Sequence, residues 1–281
     1  MKYILLTLLA MALCFLGGRV ILSFYEVHRR QHGKPPMERR RFTLLSLLCG
    51  LLLAAAVSLA YLLPYAPAED SALPYMEDSD AVTVTEAEHG YYFDGPGEEA
   101  AILFVPGAKV DEVAYAPLLH RLAEGGVDCY LYGPPFHMAF SVSEGAAEAL
   151  TAYPHDRWFA VGHSLGGVTA SGYACEHPAD FDGIILLAAY PTDDVPDELA
   201  VCSIYGSRDT KLDQDAYDSN EDNFPDPADG GFFREFILEG GNHAQFGDYG
   251  DQKGDSEATI SPAEQQAQTA EIILAFINGE Q

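Results

Sequence analysis

Hydrophobic and polar positions divide this chain at about residue 80. Upstream lie two apolar blocks, Tyr3 to Tyr25 and Phe42 to Leu63, and the second carries no charge over 22 residues. That is long enough to cross a bilayer as a helix, so residues 1–63 predict a two-helix transmembrane hairpin. Residues 64–80 (PYAPAEDSALPYMEDSD) are rich in Pro and acids and predict an extended tether. Downstream the period changes. Val82–Thr85 and Tyr91–Phe93 predict an opening antiparallel pair, and Ala101–Val105 a buried strand ended by Pro106-Gly107. Val113–Ala123 is amphipathic with Leu118, Leu119 and Leu122 on one side; a strand at 127–132 and a helix at 143–153 follow. The apolar run Trp158–Val161, the small-residue helix Val168–Cys175, and strands at 183–189, 199–205 and 232–238 continue the alternation. A closing helix, Pro262–Ile277, is capped by Ser261. Strands alternating with helices predict an α/β domain over residues 81–281, with a mostly parallel sheet covered on both faces.

Charge adds a topology. His28 to Arg41 carries six Lys/Arg against one acid, and short basic loops stay in the cytoplasm. Both ends of the hairpin are therefore expected outside, with the domain extracytoplasmic at the cell membrane. No small-x-small site closes the first block, which argues against a cleaved signal peptide there. Ala66-Pro67-Ala68 resembles a signal-peptidase site, but the apolar stretch before it exceeds an ordinary signal core, so retention is favoured over release after Ala68. Beyond residue 41 seven basic side chains face 41 acidic ones, a formal −34. Such a surface repels nucleic acid and anionic lipid headgroups, so no nucleic-acid partner is expected. Five cysteines, an odd number in apolar contexts, predict buried free thiols rather than a disulfide framework.

Candidate chemistry concentrates where apolar runs end in glycine. Trp158–Val161 runs into Gly162-His163-Ser164-Leu165-Gly166, a Gly-x-Ser-x-Gly turn between strand and helix. A serine on so sharp a turn needs small neighbours and projects its hydroxyl above the sheet, so Ser164 is the candidate nucleophile. A hydroxyl becomes nucleophilic only when a base takes its proton, and the base needs an acid to orient it. His243, on the glycine-rich turn after the last strand, is the candidate base; His163 and His177 are expected to be structural or solvated. Asp209 follows the next-to-last strand and is the candidate acid, with Asp193 and Asp194 as rivals. The backbone N–H groups of Leu165 and Ala108 are the candidate oxyanion donors. Lys109 is a candidate substrate contact, weighed against plain solvation. Asp218-x-Asn220-x-Asp222 with Asp229 imitates a calcium loop, but Asn223 replaces the turn glycine and Pro225 and Pro227 intrude. Asp248, Asp251 and Asp255 lack metal spacing, and neither metal nor cofactor is expected.

With these residues in view, the chain resembles the α/β-hydrolase superfamily from about residue 82 onward. It is most similar to a small membrane-attached bacterial group carrying Pro-Gly-x-Lys-Val (Pro106–Val110), Gly-His-Ser-Leu-Gly-Gly (Gly162–Gly167), Tyr-Gly-Ser-x-Asp (Tyr205–Asp209) and Gly-Gly-Asn-His-Ala-Gln-Phe-Gly (Gly240–Gly247). The resemblance implies a Ser164, Asp209, His243 triad and hydrolysis of an ester-like bond. The expected activity is serine hydrolysis of small neutral carboxylic esters at the membrane. The competing readings are an amidase, peptidase or thioesterase with the same triad, or a non-catalytic surface binding module.

Overall fold

The computed structural model describes residues 2–279 except 227 and 229, with side chains from residue 10 onward. It divides into two units, Met1–Pro64 and Tyr65–Gln281. Asp229, which the calcium-like stretch needs, and Pro227, which interrupts it, lie outside the described residues.

The first unit is a helical hairpin, α1 (Lys2–Gln31) and α2 (Arg39–Leu62). Ala10–Gln31 and Arg39–Leu62 are long and apolar enough to cross a membrane. Glycines set how closely the helices approach: a Cβ on Gly18 would run into the Gly50 backbone, the small-residue contact that apolar helices use when burial alone does not drive pairing.

The second unit is one eight-stranded sheet. Its strands are β1 (Thr83–Ala87), β2 (Gly90–Asp94), β3 (Ala100–Val105), β4 (Asp128–Tyr132), β5 (Arg157–His163), β6 (Gly183–Leu187), β7 (Ala200–Gly206) and β8 (Phe233–Leu238). They lie in the order β1-β2-β4-β3-β5-β6-β7-β8. The first two pair antiparallel and β2 meets β4 antiparallel; every later pairing is parallel. Successive side chains point to opposite faces of a strand. On β3, Ile102 and Phe104 therefore enter one core while Leu103 and Val105 enter the other. Both faces are covered, and this is why the strand reads as an unbroken apolar run rather than an alternating one. On the first face lie α3 (Ala116–Glu124) and α7 (Pro262–Ile277), through Leu118, Leu119, Leu122 and Ile273. On the second lie α4 (Ser143–Ala152) and α5 (Leu165–Glu176), through Ala146, Ala149, Ala170 and Ala174. A short α6 (Gln214–Ser219) sits between β7 and β8. The Ser261 hydroxyl accepts from Glu264 N at 3.2 Å and caps α7.

Two details depart from the pattern. The helix expected at 113–123 is a 3-10 turn over Glu112–Tyr115 followed by α3, because Pro117 has no N–H to donate and suits only a first turn. The stretch expected as an extended tether lies along the domain from Tyr65 onward. Ala66 N donates to Lys109 O at 2.7 Å, Asp111 N donates to Ala66 O at 2.9 Å, and Ala72 is fully buried. Its small apolar residues, Ala66, Ala68 and Met76, pack on the core, while its acids stay toward water.

Candidate active site

The parallel strands all end on one edge, and the chain crosses that edge repeatedly in short loops. The sharpest crossing joins β5 to α5. Ser164 takes φ 54° and ψ −124° there, a backbone conformation that side chains rarely adopt. A Cβ on Gly162 would collide with Gly166, and one on Gly166 with the Val105 and Pro106 carbonyls, so both positions require glycine. Ser164 N donates to Leu187 O at 2.9 Å, tying the turn to the neighbouring strand.

Beyond β7 and β8 the structure brings two of the expected residues together. Asp209 Oδ2 lies 2.8 Å from His243 Nδ1, with both side chains almost fully enclosed. The other Asp209 oxygen accepts from Lys211 N at 2.7 Å and Leu212 N at 2.8 Å. The carboxylate is thus fixed from both sides, and His243 presents Nε2 as its remaining ring nitrogen. Asp193 and Asp194 are exposed on the loop after β6. The His243 ring centroid lies 4.6 Å from that of His163, the residue next to Ser164.

Sequence reasoning missed how these loops are held. Asp255, read as hydrated, accepts from Thr210 N through Oδ1 and from Ala244 N through Oδ2, each at 3.1 Å. One carboxylate therefore joins the loop of Asp209 to the loop of His243. Gln265 on α7 exchanges two hydrogen bonds with the Asn242 backbone, at 3.0 and 2.8 Å. Neither contact has a local spacing that a sequence could show.

The loop after β3 is organised by Tyr115. Its hydroxyl accepts from Gly107 N at 3.0 Å and lies 2.7 Å from His163 Nδ1. Burial pushes the tyrosine hydroxyl up, so it remains a donor, and it donates to His163. Burial, and then the neighbouring His243, hold the His163 imidazole well below the usual histidine range. His163 is therefore a neutral acceptor beneath the loop, which makes it structural, one of the two roles expected. With Gly107 N–H taken by Tyr115, the Ala108 N–H is the next donor along the loop. Leu165 opens α5, where a helix has no internal partner for its N–H groups. Lys109 has φ 60°, and its N–H donates to His137 O at 2.7 Å.

Asp111, Glu112 and His137 have ligand atoms within 4.8 Å of one another and could hold a metal ion. They also have partners within the protein: His137 Nδ1 is 3.0 Å from Glu112 Oε2, and Asp111 Oδ1 accepts from Val113 N. Beside them the loop after β4 borders a cavity of about 400 Å³ lined by Tyr132, Pro135, Phe136, Met138 and Phe140. A cavity of about 550 Å³ lies among Phe159, Ala200, Phe232 and Phe276. It opens at the strands' N-terminal edge, away from Ser164.

A model of the alpha/beta hydrolase family matches residues 101–267. No curated protein sequence matches the chain. Among solved structures, a membrane phospholipase A, described as a novel bacterial virulence factor, superposes with TM-score 0.53 at 17% identity, covering 85% of this chain and 98% of that one. A highly thermostable carboxyl esterase from Bacillus coagulans, solved with glycerol, gives TM-score 0.51 at 13% identity, covering 72% and 99%. At such identities the likeness shows the fold alone.

Proposed function

Because the chain belongs to the alpha/beta hydrolase family, we propose that it is a serine hydrolase of small neutral carboxylic esters, with Ser164, His243 and Asp209 as its triad. The observation that carries this reading is the 2.8 Å contact between Asp209 Oδ2 and His243 Nδ1 beside an elbow serine at φ 54°. Asp209 fixes the tautomer that leaves His243 Nε2 free to take the Ser164 proton. The alkoxide attacks the ester carbonyl, and the Leu165 and Ala108 N–H groups receive the developing oxyanion. His243 then gives its proton to the departing alcohol. Water repeats the sequence on the acyl-enzyme and releases the acid.

A small substrate is favoured by the segment between β6 and β7, which contains no helix to cap the edge. Solved relatives of this fold include a carboxyl esterase and a membrane phospholipase A, which supports ester chemistry. We further propose that α1 and α2 span the cell membrane, with the six-charge loop inside and the hydrolase domain outside. The engagement of Ala66 with Lys109 and Asp111 supports retention rather than cutting at Ala66-Pro67-Ala68. Labelling of the detergent-solubilised full chain with a fluorophosphonate tests the central claim. Label is expected on the native chain and absent from Ser164→Ala; label that persists in that variant refutes the assignment.

A further inference from the structure

We infer that the edge of the sheet carrying Ser164 faces the lipid bilayer, and that the substrate is an amphipathic ester cleaved at headgroup depth while its tail stays in the membrane. The inference rests on the hydrolase reading and on α2 crossing a bilayer.

The first observation is how little chain separates the second apolar helix from the loop after β3. The last residue of α2 is Leu62, and Ala66 is already hydrogen-bonded to Lys109 and Asp111. Four residues reach at most about 14 Å at full extension. Tyr65 stacks on His137, with ring centroids 3.9 Å apart. The leash is therefore short, and it is fastened at the loop that supplies the Ala108 N–H, so this edge of the domain must stay near the membrane surface.

The second observation is the character of that edge. The loop at 133–143 (GPPFHMAFSVS) contains no Asp or Glu, and neither does the leash at 61–68 (YLLPYAPA). Both are unusual in a domain of formal charge −34. The loop is pinned between the two sides of the candidate site: His137 O accepts from Lys109 N at 2.7 Å, and Ala139 O accepts from the Thr169 hydroxyl of α5 at 2.7 Å. At its tip Phe136 and His137 both take left-handed backbone, at φ 58° and 52°. Phe136 is left 53% exposed and Phe140 74% exposed. Two phenylalanine rings presented to solvent on a loop without acids suit insertion at the boundary between headgroups and acyl chains.

The same geometry specifies the substrate. The segment between β6 and β7 adds no helical cap that could enclose a long apolar tail beside Ser164. A tail that remains in the bilayer needs none. With one water, hydrolysis then yields a short carboxylic acid that leaves into water and a long-chain alcohol retained by the membrane.

The test uses the full chain in phosphatidylcholine proteoliposomes. Single substitutions Phe136→Trp, Phe140→Trp and, on the opposite edge, Phe232→Trp each add one fluorophore above the buried Trp158. Brominated phosphatidylcholine is expected to quench the emission added at 136 and 140 and not that added at 232. Absence of quenching at 136 and 140, or equal quenching at 232, overturns the inference. Acetate release is then followed from hexadecyl acetate in the vesicles and from butyl acetate in water. In Phe136→Ser/Phe140→Ser the ratio of the two rates should fall at least tenfold; an unchanged ratio overturns it. If acetate release survives Ser164→Ala while quenching holds, the membrane placement stands and the triad assignment fails.

Discussion

At the scale of the residue, the acid is the sharpest case. Asp209 and the pair Asp193 and Asp194 occupy equivalent places after successive strands, and only Asp209 reaches the His243 imidazole. Losing that contact leaves the imidazole free to take the wrong tautomer, which costs about four orders of magnitude in turnover in serine proteases. Asp209→Asn should approach that loss in kcat on butyl acetate, while Asp193→Asn and Asp194→Asn should cost tenfold or less. A crippled Asp194→Asn with an active Asp209→Asn would move the acid to the earlier loop. His163 makes a separate prediction about pH. Burial and His243 keep its imidazole neutral in the folded state, whereas the unfolded side chain takes up a proton below about pH 6.5. The unfolded state then binds more protons, so this contribution to stability is complete above pH 6.5. It is lost as pH falls below that value, by up to about 1.4 kcal/mol per pH unit. The fall in Tm between pH 7.5 and 5.5 should be steeper in the native chain than in His163→Gln; equal slopes would show that His163 is not the group involved.

At the scale of the element, the elbow and the loops around it depend on contacts that leave no room. Gly166→Ala would drive a methyl group into the Val105 and Pro106 carbonyls, backbone that cannot step aside. Overpacking of this kind costs about 1–3 kcal/mol, and the urea midpoint should drop accordingly with fluorophosphonate labelling lost. Retained labelling at native stability would show that the strand and helix can separate. Asp255 acts between elements. Asp255→Ala removes the acceptor shared by Thr210 N and Ala244 N, so the Asp209 and His243 loops lose their common anchor. A fall in kcat of about tenfold, roughly 1.4 kcal/mol, with KM little changed would mark it as a positioning residue. A rise in KM at constant kcat would place it in substrate binding instead.

At the scale of the whole molecule, the charge pattern and the open sheet edge carry the predictions. The proposed topology puts the six basic residues of His28–Arg41, at the facing ends of α1 and α2 and in the turn between them, inside, so external protease on intact cells should cut after Leu63; protection until lysis would reverse the topology. The segment between β6 and β7 contains no helix that would cap the edge over a long acyl chain. Among butyl esters, acetate to hexanoate should therefore turn over faster than decanoate and longer acids. A preference for acyl chains beyond about ten carbons, which demand a long apolar groove, would contradict the small-acyl reading.

Much of this was legible along the chain, for identifiable reasons. The apolar period distinguishes helix from strand locally, so every strand from β1 to β8 and the closing helix stand where their runs of residues lie. The elbow was legible because its pattern is local: Gly162 and Gly166 are four residues apart and a Cβ on Gly162 would meet Gly166, whereas the carbonyls that exclude a Cβ on Gly166 belong to distant Val105 and Pro106. Asp209 and His243 could be nominated by their place after strands, since a parallel sheet delivers every strand's end to one edge. Only the tertiary structure shows that Asp209, and not Asp193 or Asp194, contacts His243, because a 2.8 Å contact spans 34 residues of chain and no spacing encodes it. The same holds for Asp255, whose carboxylate collects N–H groups from loops 45 and 11 residues away. It holds also for the stretch read as an extended tether at 64–80, whose few apolar side chains, Ala66, Ala68 and Met76, pack on a core assembled from distant residues. Local periodicity depends on neighbours in sequence; selectivity among equivalent polar groups depends on neighbours in space.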